Sequence, residues 1–159
     1  MNKTDSFDTF ISVHSDEHKK IINLKNVSNI KYSFNENRVI FNFNYSLKQT
    51  YNENKHKTDF MYYDFDSPEE FDKYVVDLER NQYLIDNFIV YSYGLVNANS
   101  IVSVKFEDKN NRTIFNLDHA VDFKGKSQAY SAFVFADFDY EDKNGYETFK
   151  QNLKQKLGV

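Results

Sequence analysis

Arg38-Val39-Ile40-Phe41-Asn42-Phe43-Asn44-Tyr45-Ser46-Leu47 is the stretch on which the fold turns. Its odd positions are all apolar, and its even positions are polar except Ile40. A period of two is that of a β-strand with one face on a core and the other near water. The pattern returns 74 residues later as Arg112-Thr113-Ile114-Phe115-Asn116-Leu117-Asp118-His119-Ala120-Val121. At that offset Ile21–Leu47 aligns with Leu95–Val121 without a gap, and Asn23/Asn97, Lys31/Lys105 and Asn37/Asn111 are further identities. With small gaps the match extends outward. Phe10-Ile11 answers to Phe88-Ile89, Asp64-Phe65-Asp66 to Asp137-Phe138-Asp139, and Phe71, Tyr74 and Leu78 to Tyr146, Phe149 and Leu153. Ordered agreement over so many segments predicts an internal duplication.

Working outward from the decisive strand, each unit reads as a meander closed by a helix. Phe10–His14 and Val27–Phe34 are expected strands, with a polar turn at Ser15–Lys20 and the apolar run Ile21–Leu24 between them. Asn35-Glu36-Asn37 is a hairpin turn of a kind asparagine favours. Lys48–Thr58 reads as a longer, lysine-bearing loop, and Asp59–Phe65 as a strand apolar on both faces. Ser67-Pro68-Glu69-Glu70 starts a helix: serine at the N-cap, proline at N1, carboxylates on the positive helix end and a capping box between Ser67 and Glu70. Phe71, Tyr74, Val75 and Leu78 then make one apolar stripe. In the second unit the expected strands are Asn87–Tyr93, Ile101–Glu107, Arg112–Val121 and Tyr130–Phe138, followed by a helix over Asp142–Lys156. Asn81–Asp86 is read as the connection. The predicted fold is therefore α+β: two tandem antiparallel β-meander-plus-C-terminal-helix repeats (ββββα twice), residues 1–80 and 81–159, packed as one pseudo-symmetric body.

Composition narrows the function classes. The chain has 159 residues, 40% hydrophobic and 28% charged, enough for a core and unlike a disordered segment. Aromatic residues reach 18%, with 16 Phe and 12 Tyr, which suits pleated surfaces. Absence of cysteine excludes disulfides, thiolate zinc sites and thiol catalysis, and sets the cytoplasm as the expected compartment. No leader is expected at Met1–Asp5, and no apolar run approaches the length of a membrane-spanning helix, so no membrane partner is expected. Lysine in preference to arginine, with abundant asparagine, suits an AT-rich bacterial or phage genome. Net charge is −4, and neither half is basic, which argues against a general polyanion binder.

Candidate chemistry is sparse. His14 and His18 with Asp16 and Glu17 contain metal-ligating types, but they fall in an expected turn, where polar residues belong. His119 takes the core position that Tyr45 holds in the first unit, without an assignable partner. Asp64/Asp66 and Asp137/Asp139 are paired carboxylates on one strand face, suited to acid–base work or cation binding, or simply to a site just before a helix N-terminus. Glycine-rich phosphate loops are absent; Lys124-Gly125-Lys126-Ser127 lacks the earlier glycine of a P-loop. No cofactor, no metal and no catalytic residue is predicted.

Two surfaces remain as binding candidates. Lys31, Arg38 and Asn42 with their counterparts Lys105, Arg112 and Asn116 recur on the strand face, joined by Tyr62 and Phe135. Asp137, Asp139, Glu141 and Asp142 form an acidic cluster suited to a basic groove on another protein. The expected function is a non-catalytic binding or assembly protein with a protein partner or a second copy of itself. The alternative is single-stranded nucleic-acid binding, since cations with exposed aromatics on a sheet stack bases and neutralise phosphate. In topology, without a sequence motif, the doubled strand-and-helix scheme resembles the Whirly, PUR and PC4 families of single-strand binders.

Overall fold

The computed structural model describes residues 9–14, 19–44, 60–122 and 130–159. Among these residues ten strands run in chain order: β1 (Phe10–His14), β2 (Lys19–Asn23), β3 (Val27–Ser33), β4 (Arg38–Phe43), β5 (Phe60–Asp64), β6 (Phe88–Tyr91), β7 (Gly94–Asn97), β8 (Ile101–Glu107), β9 (Arg112–Asp122) and β10 (Tyr130–Asp137). The helices are α1 (Pro68–Glu79), α2 (Gln82–Asn87) and α3 (Lys143–Leu157). The fold is thus α+β with antiparallel sheets and three helices among the described residues.

Local chemistry sets the turns. Asn37 (φ 50°) and Asn111 (φ 48°) occupy the left-handed region that asparagine tolerates better than other side-chain-bearing residues. Each lies just before a strand, and its carbonyl accepts from the residue after the partner strand: Phe65 N at 2.8 Å and Phe138 N at 3.0 Å. Short 3-10 turns at Leu24–Asn26 and Ala98–Ser100 lead into β3 and β8, with Asn23 and Asn97 as N-caps.

Pairing divides the strands into a β1–β2 hairpin, a central sheet in the order β5-β4-β3-β7-β6, and an outer sheet in the order β10-β9-β8. The junction between residues 80 and 81 falls between α1 and α2. Strands beyond it nevertheless extend the sheet built before it, because β7 pairs with β3 through Asn29↔Val96, Ile30↔Leu95 and Lys31↔Gly94. One core gathers Ile30, Tyr32, Val39, Phe41 and Leu95 of the central sheet with Phe71 and Leu78 of α1 and Val13 and Ile22 of the hairpin. A second joins Ile89, Tyr91 and Val96 to Phe115, Leu117, Val134 and Ala136 of the outer sheet and to Leu153 of α3. The hairpin β6–β7 therefore feeds both cores, one from each face.

Three expectations need correction. Among the described residues each half has five strands rather than four, because Lys19–Asn23 and Gly94–Asn97 form strands of their own, β2 beside β1 and β7 between β6 and β3. The even-numbered face of β4 does not lie near water: Ile40 and Asn42 are fully buried and Arg38 nearly so. β4 is an interior strand between β3 and β5, and β9 passes close to β3 and β4, so it is covered on both sides. Asn81–Asp86 is not a bare connection but runs into α2, capped by the Asn81 side chain, which accepts from Leu84 N. The Lys48–Thr58 loop, Tyr45–Leu47, His18 with Asp16 and Glu17, the Lys124–Ser127 segment, and the side chains of His14 and His119 lie outside the described residues.

Candidate recognition surface

Alternation along the outer sheet separates its two faces. Thr113, Phe115 and Leu117 of β9 and Val134 and Ala136 of β10 are buried. Register then places the intervening residues in three rows on the opposite face. Glu107, Arg112 and Asp137 form the first row, Lys105, Ile114 and Phe135 the second, and Ser103, Asn116 and Phe133 the third. Phe133 and Phe135 are 47% and 42% exposed, while Arg112, Ile114 and Asn116 are half-buried.

The polar groups on this face are arranged by one another. Arg112 Nε donates to Asp137 Oδ1, and its guanidinium lies 4.9 Å from the Phe135 ring centre. The Asp137 hydrogen bond, ahead of its charge, raises the arginine pKa further. Asn116 Nδ2 donates to Ser103 Oγ at 2.8 Å, and Lys105 lies 3.4 Å from Glu107. The result is an apolar centre of Ile114, Phe133 and Phe135 bordered by charges of both signs.

The corresponding residues of the central sheet sit in a different environment. Arg38 grips Asp64 through Nε (2.6 Å) and Nη2 (3.0 Å), approaches Glu36 at 3.4 Å, and stacks 4.1 Å from the centre of Tyr62. Tyr62 is itself stacked with Phe60 and remains partly exposed. Asn42 Nδ2 donates to Asn29 Oδ1, and Asn29 Nδ2 to the Leu95 carbonyl at 2.9 Å, so these buried amides serve the interior. Lys31 is half-buried, its pKa lowered by desolvation with Asp137 acting in the opposite sense, and its ammonium stands 5.7 Å from the Tyr93 ring centre.

Of the expected strand-face residues, Lys105, Arg112, Asn116 and Phe135 therefore share one open face. Lys31, Arg38 and Asn42 are drawn into the interior or into ion pairs, and Tyr62 keeps one ring face outward. Phe133, two residues before Phe135 on the same strand, completes the open face, and its spacing was the available signal. The acidic residues are put to separate uses. Asp137 holds Arg112, Asp142 caps α3 by accepting from Gly145 N at 3.0 Å, and Asp139 and Glu141 are exposed between them. In each of the two carboxylate pairs, the first member is bonded to an arginine on the neighbouring strand. Among the described residues no group of three His, Asp or Glu is placed to hold a metal ion, and no helix is long and apolar enough to cross a membrane.

No protein-family model matches the chain, and no curated protein matches it. Among solved structures it is similar to one described as the LytTr DNA-binding domain of a methyl-accepting/DNA response regulator from Bacillus cereus. The identity is 13% and the TM-score 0.48, over 95% of this chain and 98% of that one. A likeness that slight leaves DNA binding as a property of that domain.

Proposed function

We propose that this is a non-catalytic recognition protein built from two copies of one strand-meander-plus-helix unit, five strands to each copy, and that the open face of its outer sheet receives a protein partner. The doubled architecture is supported by the left-handed asparagines before β4 and β9, the two 3-10 turns at the same offset, and the two arginine–aspartate–aromatic clusters. The observation that carries the functional reading is the exposed pair Phe133 and Phe135, on a sheet whose other face is sealed core. Aromatic residues in an apolar centre with a charged rim are the composition of protein contact sites, where such anchors dominate the binding energy. Charge favours the same partner class. Arg112 and Lys105 each have a carboxylate beside them, so an approaching phosphate chain meets Glu107 and Asp137 together with the cations. Retention of a partner from the source cell by the native chain, and its loss in a Phe133→Ala/Phe135→Ala variant, is the expected result. Equal retention by both overturns the assignment of the face.

One observation favours single-stranded nucleic acid as a second reading. Residues two apart on a strand are spaced by roughly 6.5–7 Å, so the rings of Phe133 and Phe135 offer neighbouring stacking positions beside Arg112, Lys105 and Asn116. A polarisation titration with a labelled oligonucleotide at low and high salt separates the two. Binding that weakens with salt and vanishes in the double variant supports the nucleic acid; no binding at low salt removes it.

A further inference from the structure

Under the tandem-repeat reading, on which this inference rests, the hairpins β1–β2 and β6–β7 are counterparts, yet they are used differently. β7 lies along β3, and the hairpin's Leu95 and Phe88 are fully buried in the core of the other half. Their counterparts on the first hairpin are Ile21, 70% exposed, and Phe10, 49% exposed. The receiving strands differ in the same way. β3 is flanked by β4 and β7, whereas its counterpart β8 has β9 on one side and, among the described residues, no strand on the other. Val102 on β8 is 69% exposed, while Ser28 at the matching place on β3 is buried.

One chain thus holds an apolar hairpin that lacks a sheet and a sheet that lacks the matching hairpin. We propose that two copies supply each other: β2 of one adds to β8 of its partner, and the reciprocal contact closes a two-fold dimer in which each outer sheet has five strands. The internal precedent fixes the register. Moving the β3–β7 pairing by the repeat offset sets Ile22 opposite Ser103 and Ile21 opposite Val104. Side-chain direction agrees, because Val96 packs into the core of its own half and Leu95 into the other. Ile22 likewise packs into its own core, which leaves Ile21 as the residue offered outward. The added pairing is short. Its next step would set Lys20 against Lys105, where the internal version has Gly94, whose positive φ and close approach to Ile30 no lysine can imitate. A second copy is the fitting occupant, since this chain itself carries both the donor hairpin and, among the described residues, the bare edge, and reciprocal exchange covers the β2 and β8 edges in a closed assembly.

Light scattering on the size-fractionated full chain, followed by sedimentation, tests this. The native protein is expected at twice its 18.9 kDa mass. Ile21→Asp on the donor and Val102→Asp on the receiving edge should each return it to monomer with an unchanged circular dichroism spectrum, both side chains being exposed. Phe135→Asp should remain dimeric, which keeps this contact distinct from the sheet-face reading. A native monomer at about 0.1 mM, a dimer unaffected by either aspartate, or one dissolved only by Phe135→Asp overturns the proposal.

Discussion

Arg38 and Arg112 make the same kinds of contact in unlike surroundings, and the difference has a measurable size. Each bonds an aspartate across the strand and covers an aromatic ring, but Arg38 is nearly buried and holds Asp64 through two nitrogens, whereas Arg112 is more than a third exposed. Hydrogen bonds to charged groups contribute about 1.5–3 kcal/mol, and exposed ion pairs roughly 0–1 kcal/mol. Urea unfolding of Arg38→Ala is therefore expected to show a loss of about 2 kcal/mol, and Arg112→Ala a loss below half of that. Arg38→Lys should not restore stability, because an ammonium lacks the planar fork that meets both carboxylate oxygens and the face that stacks on Tyr62. Equal losses for the two alanine variants would show that burial does not govern the pair. At this scale the sequence was legible in type and opaque in partner. Asp64 and Asp66 read as a carboxylate pair because they share a strand face. That Asp64 meets Arg38 instead follows from the β4–β5 register, which no spacing along the chain reveals.

Elements whose cause is local were legible almost to the residue. α1 begins where Ser67-Pro68-Glu69-Glu70 announces it, with Ser67 Oγ accepting from Glu70 N at 3.1 Å, and β8 has the expected bounds. Ser67→Ala should cost about 1 kcal/mol, read as a lower urea midpoint with an unchanged slope. A neutral outcome would mean that Pro68 and tertiary packing set the helix start unaided. α2 escaped notice because six residues give less than two turns of periodicity, and only Leu84 of them is buried. Its C-terminal end is secured from far along the chain, where Lys156 of α3 donates to the Ile85 carbonyl at 2.7 Å and to that of Phe88. The covered polar face of β4 has the same origin. Alternation in Arg38–Phe43 gives the pleat correctly but is silent on what lies above it, and Ile40 among polar neighbours was the one hint of a cover.

At the scale of the whole molecule, the junction between β3 and β7 decides whether the two cores behave as one. β6–β7 belongs to the second half by sequence, yet it gives Leu95 and Phe88 to the first core while Ile89 and Val96 serve the second. Polar groups stitch the same line: Asn97 Nδ2 donates to the Val27 carbonyl at 2.9 Å, and Tyr32 N to the Tyr93 carbonyl at 2.8 Å. Gly94 is the residue that makes so close an approach possible. Its φ is +149°, and a Cβ there would stand 1.9 Å from the Ile30 carbonyl oxygen and 3.1 Å from Lys31 Cα, backbone atoms that cannot swing aside. Gly94→Ala must then either strain the turn or push β7 off β3, and both cores lose side chains together. The expected destabilisation is at least about 2 kcal/mol, larger than for loss of the α1 cap. Its signature is also different in kind. With the junction loosened, amide exchange in β8 and β9 should separate from that in β3 and β4, two protection levels replacing one. Coincident exchange of both sheets at native stability would place the coupling of the two halves somewhere other than this strand pair.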